Sequence, residues 1–188
     1  MRPPASPDRC SPSISSLGSR AAAVDAAGMP RIIITLGDPA GIGPEVIDLA
    51  LQAGGFPGGV EIEVIGDRAA GTPGQPDTRS AAAALAALDE AVSRLKIGSA
   101  DAVVTGPVSK QGLQSLGFPF PGQTEYFANA FGVADFGMLL SGPSLTVGLA
   151  TIHEPLARVP GLLTTAGIVR IGLLTAEFLQ RRQIRQPR

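Results

Sequence analysis

Residues 37–45 constrain the fold of this chain more than any other stretch. They form the loop Gly37-Asp38-Pro39-Ala40-Gly41-Ile42-Gly43-Pro44-Glu45, which lies between the apolar runs 31–36 and 46–51. This order predicts a buried strand, a tight glycine turn and a helix that begins at Pro44, because proline suits the first helical position. In α/β folds, ligands bind at the carboxyl ends of strands, beside helix N-termini. The loop therefore predicts an α/β fold with a binding site at this point.

Composition narrows the class of protein. The 188 residues are 44% hydrophobic and 16% charged, which is enough apolar material for a globular core. The net charge of −1 gives no basic face, so nucleic acid is not an expected partner. Cys10 is the single cysteine, which excludes a disulfide framework and a cysteine-rich zinc site and leaves the cytoplasm as the expected compartment. No run reaches 18 apolar residues, so we expect no transmembrane helix and no membrane partner.

Strands and helices alternate through the first part of the chain. We predict further strands at 60–65 and 101–105, the latter buried. We also predict one helix that begins at Thr78 or Ser80 and ends at Leu95, and another at 109–116. Leu85, Leu88, Val92 and Leu95 fall on one face of the first of these helices. The alternation predicts an α/β domain with a largely parallel sheet.

The second part of the chain has a different pattern. Thr124 is a candidate cap for a helix ending at Phe131, and strands at 136–140 and 145–152 are expected to pair around the turn 141–144. A last helix starts near Pro160 or Thr164 and runs to about Arg182.

The two ends of the chain differ in character from its middle. Residues 1–28 are rich in Pro, Ser and Ala and have no apolar segment of signal-peptide length, so we expect a disordered extension before a domain at 29–188. The basic run 181–188 fits either a frayed, solvated tail or a turn leading to a strand that this sequence does not contain.

Four segments contain residues that suit binding or catalysis, and each also has a plain structural interpretation. The loop 37–45 has neither P-loop nor dinucleotide glycine spacing, so it is either a site or a structural turn. Lys110, five residues after Thr105, either holds an anion or is an exposed lysine. The segment 120–125 either binds a phosphate or carboxylate through backbone amides at a helix start or is an ordinary helix cap. His153 is the only histidine, and one histidine does not make a metal site by itself.

Taken together, these segments resemble one family. Segment 33–45 is similar to the opening of the 4-hydroxythreonine-4-phosphate dehydrogenases of vitamin B6 biosynthesis, and segment 103–110 resembles the second signature of that family. Segment 121–125 resembles its Pro-Gly-His-Thr-Glu motif, and segment 150–156 resembles the stretch that carries its first metal-binding histidine. The four segments occur in the order found in the family.

The resemblance implies a fold and a reaction. The fold would be the three-layer α/β/α type of isocitrate and isopropylmalate dehydrogenases, with two lobes around a cleft, in a homodimer. The reaction would be the NAD-dependent oxidation and decarboxylation of 4-phosphohydroxy-L-threonine to 3-amino-2-oxopropyl phosphate. A divalent metal (zinc, magnesium or cobalt) held by three histidines would polarise the reacting oxygen. By position, His153 would be a metal ligand, and Gln123 and Thr124 would contact the substrate.

Two departures from the family pattern affect this expectation. Gln123 stands where the family has histidine, and its amide donates a hydrogen bond but carries no charge and transfers no proton. Family members are also nearly twice as long, so the second lobe would be largely missing, with two metal histidines and much of the NAD site. We therefore expect impaired catalysis. The alternatives are a relative that acts on another hydroxy acid or a dihydrodiol, and a non-catalytic remnant that binds a separate chain.

Overall fold

The computed structural model describes residues 28–184, which fall into two compact units. Unit 1 ends at Phe118 and unit 2 begins at Pro119, and each is described by itself. The extension predicted at residues 1–28 and the final residues 185–188 lie outside the described residues, except for Gly28.

Unit 1 is built on a parallel sheet of three strands in the order β2-β1-β3. Its strands are β1 (Arg31–Thr35), β2 (Glu61–Ile65) and β3 (Ala102–Thr105). Its helices are α1 (Gly43–Ala53), α2 (Thr78–Lys96) and α3 (Lys110–Ser115), with a 3₁₀ turn at Arg68–Ala70. In register, Ile33 lies between Glu63 of β2 and Val103 of β3. The predicted α/β class and parallel pairing are confirmed for this unit.

Helix α2 packs against one face of the sheet. Its buried side chains include Leu88 and Val92, as predicted, whereas Leu85 and Leu95 are half-buried. The rest of its buried face consists of small residues, namely Ser80, Ala81, Ala84, Ala87 and Ala91. A capping box between Asp77 and Ser80 fixes the start of the helix.

The prediction that the third strand is buried is wrong. Ala102, Val104 and Thr105 are exposed and Val103 is only half-buried. The apolar run suggested a strand with neighbours on both sides, but β3 is an edge strand that pairs with β1 alone among the described strands. Hydrophobicity indicated the strand correctly but did not indicate its place in the sheet.

The loop after β1 is folded tightly against the end of β3. Gly37 has a φ of +73°, and a Cβ atom there would overlap the Pro107 carbonyl. Asp38 is 4% exposed; its N–H donates to Pro107 O at 2.9 Å, and its Oδ1 accepts from Ala40 N at 2.9 Å. A Cβ at Gly43 would overlap Leu36 O, so glycine lets α1 begin directly against the strand end. The predicted strand, turn and helix are confirmed, and Pro44 lies in the first turn of α1.

Unit 2 contains one antiparallel hairpin and three helices. Helix α4 (Gln123–Phe131) precedes strands β4 (Met138–Ser141) and β5 (Thr146–Leu149), and α5 (Val159–Leu162) and α6 (Thr165–Arg181) follow. The predicted pairing around the turn is confirmed over shorter strands, and Gly142 N donates to Leu145 O at 2.8 Å. Helix α6 packs against β5, and Thr164 caps it by accepting from Gly167 N at 3.0 Å.

Helix α4 of unit 2 begins earlier than predicted. The prediction that Thr124 caps α4 is wrong, because Gly122 is the cap residue and Thr124 lies inside the first turn. The extended backbone of Gly122 starts the helix two residues earlier than the side-chain pattern suggested. In contrast to unit 1, no described residue of unit 2 falls in the fully buried class.

No single described helix is long and apolar enough to cross a bilayer. The helical segments Leu156–Leu162 and Thr165–Arg181 reach that length and apolar composition only as a pair, which is bent by 99°.

The substitution Gly37→Ala tests the tight loop. The new Cβ would meet the backbone of Pro107 while φ stays positive, so we expect destabilisation of roughly 2–4 kcal/mol. Gly58→Ala is the matched control, since nothing lies within 4 Å of a Cβ there and φ is not positive. Urea unfolding followed by circular dichroism measures both. Equal midpoints for the two variants would contradict the proposed close approach.

The substitutions Asp38→Ala and Asp38→Asn separate the charge of this residue from its hydrogen bond. Alanine leaves the Ala40 N–H without its acceptor in a buried loop, so we expect a loss of about 1–3 kcal/mol. Asparagine keeps an acceptor oxygen and should cost clearly less. The same unfolding measurement ranks the two variants. If asparagine is as harmful as alanine, the charge of Asp38 matters more than this bond.

Candidate functional site

In unit 1, two of the predicted segments meet at the carboxyl end of the sheet. Gly106 N donates to Thr35 O at 2.8 Å, and the Asp38 N–H donates to Pro107 O. These bonds join segment 37–45 to segment 105–110, because β1 and β3 are parallel and end at the same edge. The structure thus confirms that this loop lies where α/β proteins place ligands.

The polar side chains beside this loop form hydrogen bonds to the protein's own backbone. A cavity of about 330 Å³ is lined by Asp38, Asp77, Ser109 and residues of α3. Asp77 caps α2, and the Ser109 hydroxyl accepts from Gly112 N at 3.0 Å to cap α3. Lys110 is exposed at the start of α3 and does not line the cavity. Asp38 therefore has a structural role that sequence reasoning missed, although its position directly after the Gly37 turn was a usable signal.

In unit 2, the start of α4 presents the two predicted substrate-contact residues. Gln123 and Thr124 occupy its first turn, and no side chain caps the helix. The first N–H groups of a helix point outward and carry a partial positive charge. Gln123 is half-buried, whereas Thr124 is exposed. This arrangement suits an anionic group held by backbone amides next to a hydroxyl.

A cavity of about 340 Å³ adjoins this helix start. Thr124 and Glu125 line it together with Arg170 and with Ala150 and Ile152, which follow β5. Arg170 donates to Asp135 Oδ1 at 2.9 Å and to Phe136 O, so its guanidinium is held by its neighbours. Sequence reasoning missed Arg170, although a charge between the apolar residues Val169 and Ile171 was a signal. The cavity places Thr124 beside the segment that leads to His153.

His153 itself is exposed and has a φ of +58°, in the left-handed region that few non-glycine residues adopt. Such a conformation is typical of positions where the surrounding chain dictates the backbone. Among residues 28–184, no group of three or more His, Cys, Asp or Glu side chains is placed to hold a metal ion. A protein zinc site needs about three such ligands, so the described residues do not fit a metal by themselves.

The side chains whose pKa values are shifted by their neighbours lie away from these candidate residues. Two hydrogen bonds from Arg68, at 2.8 and 2.6 Å, hold the pKa of Asp48 below its usual range. The carboxylates of Glu63 and Glu90 raise the pKa of Arg94. Both clusters are solvent-exposed and join elements of unit 1, so they are structural.

Curated proteins similar to this chain share one name. A 4-hydroxythreonine-4-phosphate dehydrogenase of Synechocystis sp. is 36% identical over an alignment of length 182, which covers 75% of this chain and 52% of that protein. The enzyme of the same name from Zymomonas mobilis is 35% identical over 81% of this chain and 57% of its own length. The chain therefore spans about half the length of the curated relatives it matches.

Solved structures agree in fold. The crystal structure of 4-hydroxythreonine-4-phosphate dehydrogenase from Klebsiella pneumoniae matches with a TM-score of 0.68 at 23% identity, over 85% of this chain and 62% of that one. The enzyme of the same name from Burkholderia phymatum matches with a TM-score of 0.65 at 24% identity, over 85% and 61%. Identities this low establish the fold alone.

The family model described as pyridoxal phosphate biosynthetic protein PdxA matches residues 40–188, which include segments 103–110, 121–125 and 150–156. The chain therefore belongs to the PdxA family of pyridoxal phosphate biosynthetic proteins.

Proposed function

We propose that this chain forms the N-terminal part of a 4-hydroxythreonine-4-phosphate dehydrogenase. The reaction is oxidation of the secondary alcohol of 4-phosphohydroxy-L-threonine, with the hydride passing to NAD and the proton to solvent, followed by loss of carbon dioxide. The product is 3-amino-2-oxopropyl phosphate. The observation that carries this proposal is the family match over residues 40–188, with curated relatives of that name.

Residues at the start of α4 have the clearest roles in substrate binding. Thr124 lines the cavity, and in this proposal its hydroxyl donates to an oxygen of the substrate. The uncapped helix start next to it favours the negative charge of a carboxylate or phosphate. Gln123 contributes an amide donor that stays neutral at every pH of interest. Together these groups orient the substrate, and they transfer no proton themselves.

His153 is proposed as one ligand of a divalent metal. When bound, such a metal acts as a Lewis acid on the reacting oxygen. The described residues provide one imidazole and no further group that completes the site, so a metal at His153 requires ligands from other polypeptide. We derive no catalytic step through it.

The fold, assembly and location proposed for the protein are those that its family resemblance implies. We infer a three-layer α/β/α enzyme with a second lobe, a homodimeric assembly and a cytoplasmic location. NAD is bound mainly by polypeptide beyond the matched half, since segment 37–45 lacks the usual dinucleotide glycine spacing.

The first test measures turnover. We expect the 188-residue chain alone to give no measurable NAD reduction with 4-phosphohydroxy-L-threonine, because no three His, Cys, Asp or Glu side chains among its described residues are grouped to hold a metal. Absorbance of NADH at a high protein concentration, with zinc, magnesium or cobalt added in turn, is the readout. Turnover near that of the Synechocystis relative would contradict the expectation of impairment and would mean that other groups replace the absent ligands.

The second test uses a chimera in which this chain precedes the part of the Synechocystis relative that has no counterpart here. In this chimera, Gln123→His restores the family residue. A charge-assisted hydrogen bond to substrate should add about 1.4 kcal/mol, which raises kcat/KM about tenfold. Thr124→Val should lower kcat/KM, and Thr124→Ser, which keeps the hydroxyl, is its control. A chimera that binds NAD but shows no effect of either substitution would refute the proposed roles of Gln123 and Thr124.

A further inference from the structure

The cavity beside the loop after β1 has a polar lining that carries negative charge. Six of its lining side chains bear oxygen, namely Asp38, Asp77, Thr78, Ser109, Gln111 and Ser115. Two of them are carboxylates, and among the described residues no lysine or arginine lines the cavity. All six belong to unit 1, and four of them are exposed, so solvent reaches the cavity. The lining therefore favours a cation over an anion.

Asp38 is the buried member of this lining, at 4% exposed. Its Oδ1 accepts from Ala40 N at 2.9 Å, and no described residue donates a hydrogen bond to its Oδ2. Burial of a carboxylate costs free energy unless its oxygens are hydrogen-bonded or a cation lies near. Since this side chain lines the cavity, the group that meets Oδ2 comes from the cavity.

The two helices that begin at this cavity do not neutralise its carboxylates. The start of a helix carries a partial charge of about +0.5, which is less than the full charge of one carboxylate. At α2 this charge already faces Asp77, whose Oδ1 accepts from Ser80 N at 2.8 Å. Helix α3 has only six residues, and its Gly112 N–H donates to the Ser109 hydroxyl. The charge of Asp38 is therefore left without a counter-charge among the described lining residues.

We propose that this cavity is a binding site for a hydrated Mg²⁺ ion, held by the carboxylates of Asp38 and Asp77. Mg²⁺ dehydrates reluctantly, so proteins commonly hold it through one or two carboxylates while it keeps several waters. The cavity measures about 330 Å³, which is room for roughly ten water molecules at about 30 Å³ each. A hydrated ion needs no cage of three ligand side chains, which agrees with the lack of such a group among residues 28–184.

Within the site, the waters of the ion donate to the oxygens that the protein leaves open. Asp38 Oδ2 accepts one hydrogen bond, and the Asp77 oxygen that does not cap α2 accepts another. The side chains of Thr78 and Gln111 offer further acceptors. The ion links the loop after β1 to the start of α2, and because it binds the folded state it stabilises unit 1 by mass action. The proposal concerns unit 1 and depends neither on the metal proposed at His153 nor on dehydrogenase activity.

The test compares the thermal unfolding of the 188-residue chain in millimolar MgCl₂ and in NaCl of the same ionic strength. We expect a midpoint about 3 °C higher with Mg²⁺, since an ion that binds only the folded state shifts the unfolding equilibrium. Mn²⁺, a paramagnetic substitute for Mg²⁺, should broaden the backbone NMR signals of Asp38, Ala40 and Gly112 before that of Lys96, at the opposite end of α2. Equal midpoints in the two salts would overturn the proposal, as would broadening that begins around His153 and spares Asp38.

Two variants of similar shape locate the ion. Asp77→Asn removes a carboxylate charge and keeps the helix cap, because asparagine caps a helix as well as aspartate does. Asp38→Asn keeps an acceptor for Ala40 N. Each should lose most of the Mg²⁺ shift and of the Mn²⁺ broadening.

The matched control is Glu61→Gln, which removes one charge from exposed β2 outside the cavity and should keep the full Mg²⁺ shift. Circular dichroism confirms that each variant folds, and if Asp38→Asn does not, Asp77→Asn decides alone. A full Mg²⁺ shift in folded Asp77→Asn would overturn the proposal, and so would its loss in Glu61→Gln.

Discussion

The close approach of the loop after β1 to the end of β3 is the constraint on which unit 1 depends. Gly37 and Gly43 lie where a Cβ atom would overlap the Pro107 and Leu36 carbonyl oxygens. Because these contacts involve backbone, a larger residue at either position would have to move a strand end. The close fit sets the direction of α1 and brings the turns after β1 and after β3 to one edge of the sheet. The buried carboxylate of Asp38 then fixes the loop between them.

Local sequence patterns predicted most helices and strands. The errors concern the burial of β3 and the start of α4. The run 31–36 and the alanine-rich run 78–95 are elements whose periodicity determines their type, and both are confirmed. The exposure of Val104 was not predictable, because it depends on the absence of a neighbouring strand among the described residues. The start of α4 at Gln123 depends on the extended backbone of Gly122, which no side-chain preference reveals.

The candidate site was predictable in its parts but not in its arrangement. Sequence motifs identified Thr124 and the segment before His153, and the structure brings Thr124 and Ile152 to one cavity. Arg170 lines that cavity and pairs with Asp135 at 2.9 Å. The two residues lie far apart in the sequence and belong to no motif. Asp38 belongs to the loop 37–45, which the sequence left as either a site or a structural turn, and the structure gives this residue a defined role in forming the loop.

None of the described residues of unit 2 is fully buried. Apolar burial contributes about 25 cal/mol per Å², so a unit with large exposed side chains such as Leu173, at 67%, and Leu156, at 85%, gains little from its own packing. The proposed metal at His153 would need further ligands as well, since one imidazole provides one of about three. Ordering of a fold and assembly of a metal site are thermodynamically linked, so a metal bound at His153 would also stabilise the weakly packed unit that carries this residue.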